Sequence, residues 1–448
     1  MKKIKIFFSS LLLSMISTFA LADFDWKKYA GEKIVFAYDI HPYVDALVEK
    51  LPEFEALTGI KVDAQIFPDD VYWNKLNLEI TTDSGAWDVA GTGVQPTWDT
   101  SVGNHNVDLS KFINDPSMTN PDYDYNDIYP SLRSAMTWDV KGEEVVGNGK
   151  GVWGLPHSFE NMNLMYRNDI LGKHNIKPPK TLPELTATCK KLKQVEPGIT
   201  PMALRGVNFW SSVHTAPASI AKSYGVVDYV MKDGKIADTG LDSKASIKFH
   251  KDYVAMVKEC AAKSWPNDNW YQVVDALTSG NAAMAVDANM FGFWNNIKDP
   301  DGKNPSGKIS FAPPPTAPGA KNFESNIWIW CITMPSASKK QGPAWYFMQW
   351  ATSKKMVLDG AMMGKMVNPI RKSTWDSADW KKYANQPEFN NYYDTFMEVQ
   401  DRAALFFTPR YGFGEAMNAW SVAMQEMVNG RPVEETLKEL AGSIRAGI

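Results

Sequence analysis

Cysteine and histidine are scarce: three and six in 448 residues. The histidines do not cluster, and no Cys or His spacing matches a metal site, so neither a metal nor any other cofactor is expected. At most one disulfide can form within the chain. Cys189 and Cys260 lie on helix-like segments and can pair or stay as buried free thiols; Cys331 also sits in apolar surroundings. Beyond residue 22 no apolar run is long enough to span a bilayer. The formal net charge of -4 offers no basic surplus that would draw the chain to nucleic acid or an anionic membrane. No internal repeat or low-complexity tract occurs.

The composition is that of a soluble globular protein, 44% hydrophobic and 22% charged, with an unusual supply of 17 Trp and 17 Tyr. Most aromatics fill cores, and the surplus can line a pocket. The length suggests two large lobes. The N-terminus reads as a secretory signal over residues 1–22. Lys2, Lys3 and Lys5 precede the apolar run Ile6 to Phe19, and Ala20-Leu21-Ala22 fits the cleavage rule. No cysteine follows the cleavage point, so a soluble periplasmic protein is expected rather than a lipoprotein.

Glu32 to Tyr38 reads as a first strand and Val44 to Leu57 as a helix with Leu47, Leu51, Phe54 and Leu57 on one side, stopped by Thr58-Gly59. Ile60 to Phe67 alternates as a strand, Asp69 to Thr82 is helical, and Trp87 to Thr92 is a third strand. This βαβαβ opening predicts a parallel sheet with right-handed crossovers. Ligands then sit beyond the strand ends, near Asp39, His41 and Tyr43, and near Thr92, Gln95 and Trp98. Gly151 to Leu171 begins at a Gly/Pro break and runs into a strand that can cross between lobes with Glu160 facing a cleft. Thr181 to Val195 is a helix capped by Thr181, with Pro183 and Glu184 in its first turn. Further helices are expected over Lys244 to Lys258, Val273 to Ser279, Gln341 to Trp350 and Arg431 to Ile444. Strands are expected over Met202 to Leu204, Ala282 to Asp287 and Trp328 to Met334. Pro313-Pro314-Pro315 is a candidate return between lobes, and Asn368-Pro369-Ile370-Arg371 a second crossing.

Several stretches together resemble the extracellular solute-binding proteins of ABC sugar importers, the maltose-binding-protein-like group. They are PEFEALTGIKV (Pro52 to Val62), GAWDVAGTG (Gly85 to Gly93), GLPHSFENMNLMYRNDIL (Gly154 to Leu171), PPKTLPELTATCKKL (Pro178 to Leu192) and ALTSGNAAMAVDANMFGFWN (Ala276 to Asn295). IWIWCITMPSASK (Ile327 to Lys339) and NPIRKSTW (Asn368 to Trp375) are most similar to polyol- and monosaccharide-binding members. Many members carry Gly-Gly before the tryptophan matching Trp328; here the pair is Asn326-Ile327. The resemblance implies a type II two-lobe periplasmic binding fold, with parallel-rich sheets flanked by helices and a cleft between lobes. It places the N-terminal lobe at 23–152 plus 305–365 and the C-terminal lobe at 153–304 plus 366–448. It implies a monomer that captures a monosaccharide, polyol or small oligosaccharide without catalysis and hands it to the transmembrane subunits of an ABC permease.

Such a ligand needs carboxylates and amides for its hydroxyls and aromatic faces for its C–H patches. The resemblance supplies His41, Tyr43, Thr92, Gln95, Glu160, Asn208, Trp210, Asp287, Asn289, Phe291, Trp294, Trp328, Arg371 and Arg410. Plain alternatives stand beside several of these. His41 can simply cap the following helix, Trp210 and Trp294 can belong to the core, and Arg371 can pair with a surface carboxylate. Asp88 reads as structural, and Tyr166 and Arg167 as packing for the crossing strand. Two other functions fit the same residues. One is binding of an anionic sugar phosphate or sulfonate through Arg205, Arg371 and Arg410. The other is a secreted glycosidase using a carboxylate pair drawn from Asp39, Glu160 and Asp287.

Overall fold

The computed structural model describes residues 24–140, 146–147, 149–233, 235–298, 306–406, 408 and 413–447. The expected signal segment 1–22 and the candidate Arg410 lie outside the described residues. Among the described residues no helix is long and apolar enough to cross a membrane.

The opening alternation folds as its periodicity predicts. Strand β1 (Lys33–Asp39) is followed by helix Pro42–Thr58, β2 (Lys61–Phe67), helix Asp69–Thr81 and β3 (Val89–Gly93). β1 lies between β2 and β3 and is parallel to both. The helix after β1 stops where Gly59 takes φ +75° and its N–H reaches the carbonyl of Glu55, a left-handed cap that glycine adopts without steric cost.

The middle of the chain supplies β4 (Leu155–Arg167), β5 (Thr200–Ala203), a β6 (Tyr229–Lys232) and β7 (Lys235–Thr239) hairpin, and β8 (Ala282–Ala288). β9 (Ile309–Ala312), β10 (Ser325–Thr333) and the short β11 (Ala403–Ala404) follow. Pairing is parallel at both ends of the main sheet and antiparallel in its middle, along the order β2-β1-β3-β10-β4-β8-β5. The 13-residue β4 changes partners halfway. Leu155 to Asn161 pair with β10, whereas Met162 to Arg167 pair with β8 and β9. It is the strand expected within Gly151 to Leu171, buried along almost its whole length.

β10, which follows Pro313-Pro314-Pro315, pairs with β3 and with the first half of β4. β9, just before the prolines, still pairs with the second half of β4, and Thr316 then exchanges backbone hydrogen bonds with Lys180 and Leu182. One apolar cluster gathers Phe36, Phe54, Trp345 and Phe347 with Trp375, Trp380, Tyr392 and Phe396. A second gathers Leu185, Phe249, Met256 and Trp265 with Trp420, Leu437 and Ile444. The last eighty residues are therefore shared between the two cores, because the chain packs Trp375 to Phe396 onto the first before supplying the final helices to the second.

Cys189 and Cys260 form a disulfide between helices Leu182–Val195 and Lys244–Cys260, with Cα atoms 5.3 Å apart, while Cys331 is a buried free thiol. A disulfide suits an oxidising compartment. Closing a loop of 71 residues stabilises by up to about 4 kcal/mol on chain entropy. Protein unfolded without reductant should therefore titrate one thiol per chain, and Cys189→Ala/Cys260→Ala should unfold at lower denaturant. Three thiols, or an unchanged midpoint, would show that the bond does not form.

Candidate functional site

Alternation along a strand sends every second side chain to the same face. Trp328 and Trp330 of β10 therefore point the same way, and the register sets Glu160 of β4 opposite Trp328. Trp330 Nε1 donates to Glu160 Oε1 at 2.8 Å. The close approach of Trp328 depends on Gly93, where a Cβ would fall 2.1 Å from the indole ring. Trp73, from helix Asp69–Thr81, lies with its ring 5.9 Å from Trp330 and 6.5 Å from Trp328. Trp210 lies 4.8 Å from Trp328 on the other side. These rings enclose a cavity of about 520 Å³, completed by Asp39, His41, Arg205, Phe209, Ser211, His214, Trp270 and Phe291. Five of the 17 tryptophans line it. A second cavity, of about 700 Å³, shares Trp73, Trp210 and Trp328 and is lined also by Thr92 and Phe413.

The charges around the first cavity are largely quenched. Arg205 Nε and Nη2 donate to Asp287 Oδ2 and Oδ1 at 2.8 and 2.6 Å, a bidentate pair in which both side chains are buried. The guanidinium also lies over Phe291, 5.9 Å from the ring centroid. Burial pushes the Glu160 carboxyl up to about 7, helped by Asp287 and opposed by the Trp330 hydrogen bond and Arg205. Burial, with His157 adding, holds His41 down to about 3. Burial and then Arg205 hold His214 well below its usual range. The imidazoles are therefore neutral near pH 7.

Of the expected site residues, His41, Glu160, Trp210, Phe291 and Trp328 meet at this cavity, with Asp39 beside them. His41 also does the plainer job: its Nδ1 accepts from the Tyr43 N–H at 3.3 Å and caps the following helix. Tyr43 stands behind it, fully buried, with its ring 4.4 Å from His41. Trp294 packs edge-on against both rings. Gln95 is buried at the start of the helix after β3 and lines neither cavity. Asp287 does not line the cavity itself but holds Arg205, which does.

Three candidates lie elsewhere. Asn208 is exposed, although Phe209, Trp210 and Ser211 beyond it line the cavity. Asn289 pairs reciprocally with Asn368: each Nδ2 donates to the other's Oδ1, at 3.0 and 2.7 Å. Arg371 is wholly buried, bonded to the carbonyls of Thr352 and Asp124 and to Asp127, with Tyr123 beneath it. It is a packing tie, not the surface ion pair set out as its plainer alternative. Asp88 is structural as expected, accepting from the Val35 N–H and the Ser338 hydroxyl.

Sequence reasoning missed Trp73, Ser211, His214, Trp270 and Trp330 as cavity residues. Trp330 was signalled by its spacing of two from Trp328. Ser211 and His214 carried no signal, since the short helix Ser211–His214 that presents them has no amphipathic pattern. Asn326, where the resemblance leads us to expect a glycine, lies inside β10. Its N–H donates to Ser219 Oγ, its Nδ2 to the His214 carbonyl, and its Oδ1 accepts from Phe406. It thus fixes the backbone that carries His214.

Comparison with known proteins places the chain. The family model for bacterial extracellular solute-binding proteins matches residues 40–357. An erythritol/L-threitol-binding protein of Mycolicibacterium smegmatis is 29% identical over 419 residues, which is 93% of this chain and 86% of that protein. An ABC transporter solute-binding protein from Agrobacterium radiobacter, solved in complex with ribitol, has a TM-score of 0.76 at 18% identity, covering 94% of this chain and 99% of its own. One from Agrobacterium vitis with bound D-mannitol has a TM-score of 0.74 at 19% identity, covering 92% and 97%. At such identities the solved structures speak to the fold alone.

The raised Glu160 carboxyl has a consequence for stability. Folding favours its protonated form, so its contribution is full below the unfolded value of about 4.5 and is lost as pH rises through about 7. Glu160→Gln removes that dependence. The variant's melting temperature relative to the parent should climb across pH 4.5 to 7, by the equivalent of up to about 3 kcal/mol. Parallel curves for the two proteins would mean that Glu160 ionises normally.

Proposed function

The chain belongs to the bacterial extracellular solute-binding proteins, and we propose that it captures an uncharged polyol or small sugar in the tryptophan-lined cavity and delivers it to an ABC permease. The wall chemistry carries this reading. Flat aromatic faces stand beside acids, neutral imidazoles and a hydroxyl. A polyol presents the complement: C–H patches for the rings, and hydroxyls that both donate and accept. The short linear polyols named for the Mycolicibacterium smegmatis and Agrobacterium relatives favour the same class.

Export by the segment 1–22 puts this capture in the periplasm. Closure follows from the crossing strands. In this proposal residues 24–152 and 325–400 form one lobe, 153–312 and 413–447 the other, and β4 and β10 bend between them. The cavity draws Asp39, His41 and Trp73 from the first lobe and Arg205, Trp210 and Phe291 from the second, so a ligand touching both walls favours the closed state. The glycosidase alternative loses one of its three acids, because Asp287 is held by Arg205.

Erythritol, threitol, ribitol or mannitol should raise the melting temperature of ligand-free protein. A hundredfold excess over Kd adds about 2.7 kcal/mol. X-ray scattering at saturation should show a smaller radius of gyration, and Trp328→Ala should weaken binding at least tenfold while the fold survives. No shift with any sugar or polyol would sink the proposal, and an unchanged radius with bound ligand would leave a rigid pocket.

A further inference from the structure

One wall of the cavity carries polar groups that the protein itself leaves without partners. Ser211 Oγ and both ring nitrogens of His214 are buried with no hydrogen bond among the described residues. Ser211 is 5% exposed and His214 4%, and both line the cavity. Buried polar atoms are nearly always paired, and leaving three unpaired together is costly unless something else satisfies them. The imidazole is held in place, tilted 28° to Trp210 at 5.4 Å and 36° to Trp328 at 5.6 Å. Its backbone is anchored by Asn326. Because it is neutral, one ring nitrogen donates and the other accepts. A hydroxyl group matches both roles; a carboxylate or phosphate oxygen only accepts.

Arg205 stands on the same wall. Its Nε and Nη2 are committed to Asp287, and its charge is matched by that carboxylate. Nη1 retains donors, without a net positive charge to attract an anion. The other acids at the cavity, Asp39 and Glu160, add no positive charge to it.

We propose that Ser211, His214 and the free edge of Arg205 form a hydroxyl-reading wall that binds a vicinal diol of the ligand, and that Asp287, by neutralising Arg205, makes the site reject carboxylate- or phosphate-bearing analogues. This rests on the polyol reading above and adds which residues set specificity and against what. It also decides between the neutral ligand and the anionic sugar derivative that Arg205 brings to mind from sequence. His214 and Ser211 are ligand-binding residues in this assignment, and Asp287 is a positioning residue that acts through Arg205.

The test is calorimetry on the full mature protein with alditols of four to six carbons and the aldonates that match them. The parent should bind at least one alditol and bind its aldonate a hundredfold or more weakly. His214→Phe keeps the stacking ring and removes both nitrogens. It should lose tenfold or more in alditol affinity without lowering the melting temperature of ligand-free protein. Asp287→Asn should narrow the gap between alditol and aldonate at least tenfold, an effect that general loosening of the site would not produce. Equal binding of alditol and aldonate by the parent, or unchanged affinity in His214→Phe, would overturn the proposal while leaving the polyol reading intact. Failure of the parent to bind any alditol or sugar would instead overturn that reading itself. If Asp287→Asn does not fold, the parent's ratio and His214→Phe still decide.

Discussion

The structure depends on the exchange of partners along β4. Up to Asn161 the strand is hydrogen-bonded to β10, and from Met162 onward to β8 and β9. A buried strand that changes partners must satisfy its backbone groups at the junction, since an unpaired one costs as much as a lost hydrogen bond. Asparagine supplies the means. Asn368 Nδ2 donates to the Phe159 carbonyl, Asn289 N–H to the Asn161 carbonyl, and the Asn289 and Asn368 amides bond to each other. Ser325 Oγ donates to the Met162 carbonyl and accepts from its N–H, completing the seam. Asn289 and Asn368 therefore shape the site without lining its cavity.

The seam also sets the register on which the cavity stands. A one-residue slip in β4 would turn Glu160 away and bring Phe159 to the cavity face, because side chains alternate with a period of two. The same logic aligns Trp328 and Trp330 on β10. With both strands locked, Glu160 meets Trp330 and the two indoles form one wall. The partner exchange thus explains both how the two halves of the sheet are joined and why the carboxylate lies among aromatic rings.

The electrostatics follow from that enclosure. Taking a charge out of water is costly, and each ionisable group at the cavity answers in its own way. Arg205 keeps its charge by pairing with Asp287, Glu160 is pushed toward its neutral form, and the histidines shed their protons. What remains facing the cavity is a set of dipoles and aromatic faces, suited to a neutral ligand rich in hydroxyls.

Sequence by itself determined the local elements. The βαβαβ opening, the Thr181 cap, the helix stop at Gly59 and the strand within Gly151 to Leu171 were legible because periodicity and capping act within a few residues. It also pointed to Glu160 and Trp328, whose motif and strand face could be read together. Tertiary structure alone decided where long side chains end. Arg371 ends the candidate crossing that begins at Asn368, yet its guanidinium turns into the first core toward Asp127 and the Thr352 carbonyl. Asp287 is spent on Arg205, 82 residues away in the chain. Ser211 and His214 enter the site from a short helix whose orientation is fixed by Asn326, 112 residues beyond His214. Hydrogen bonds between groups so far apart in sequence leave no local pattern, so only the folded chain reveals which polar atoms are already satisfied and which still face the cavity.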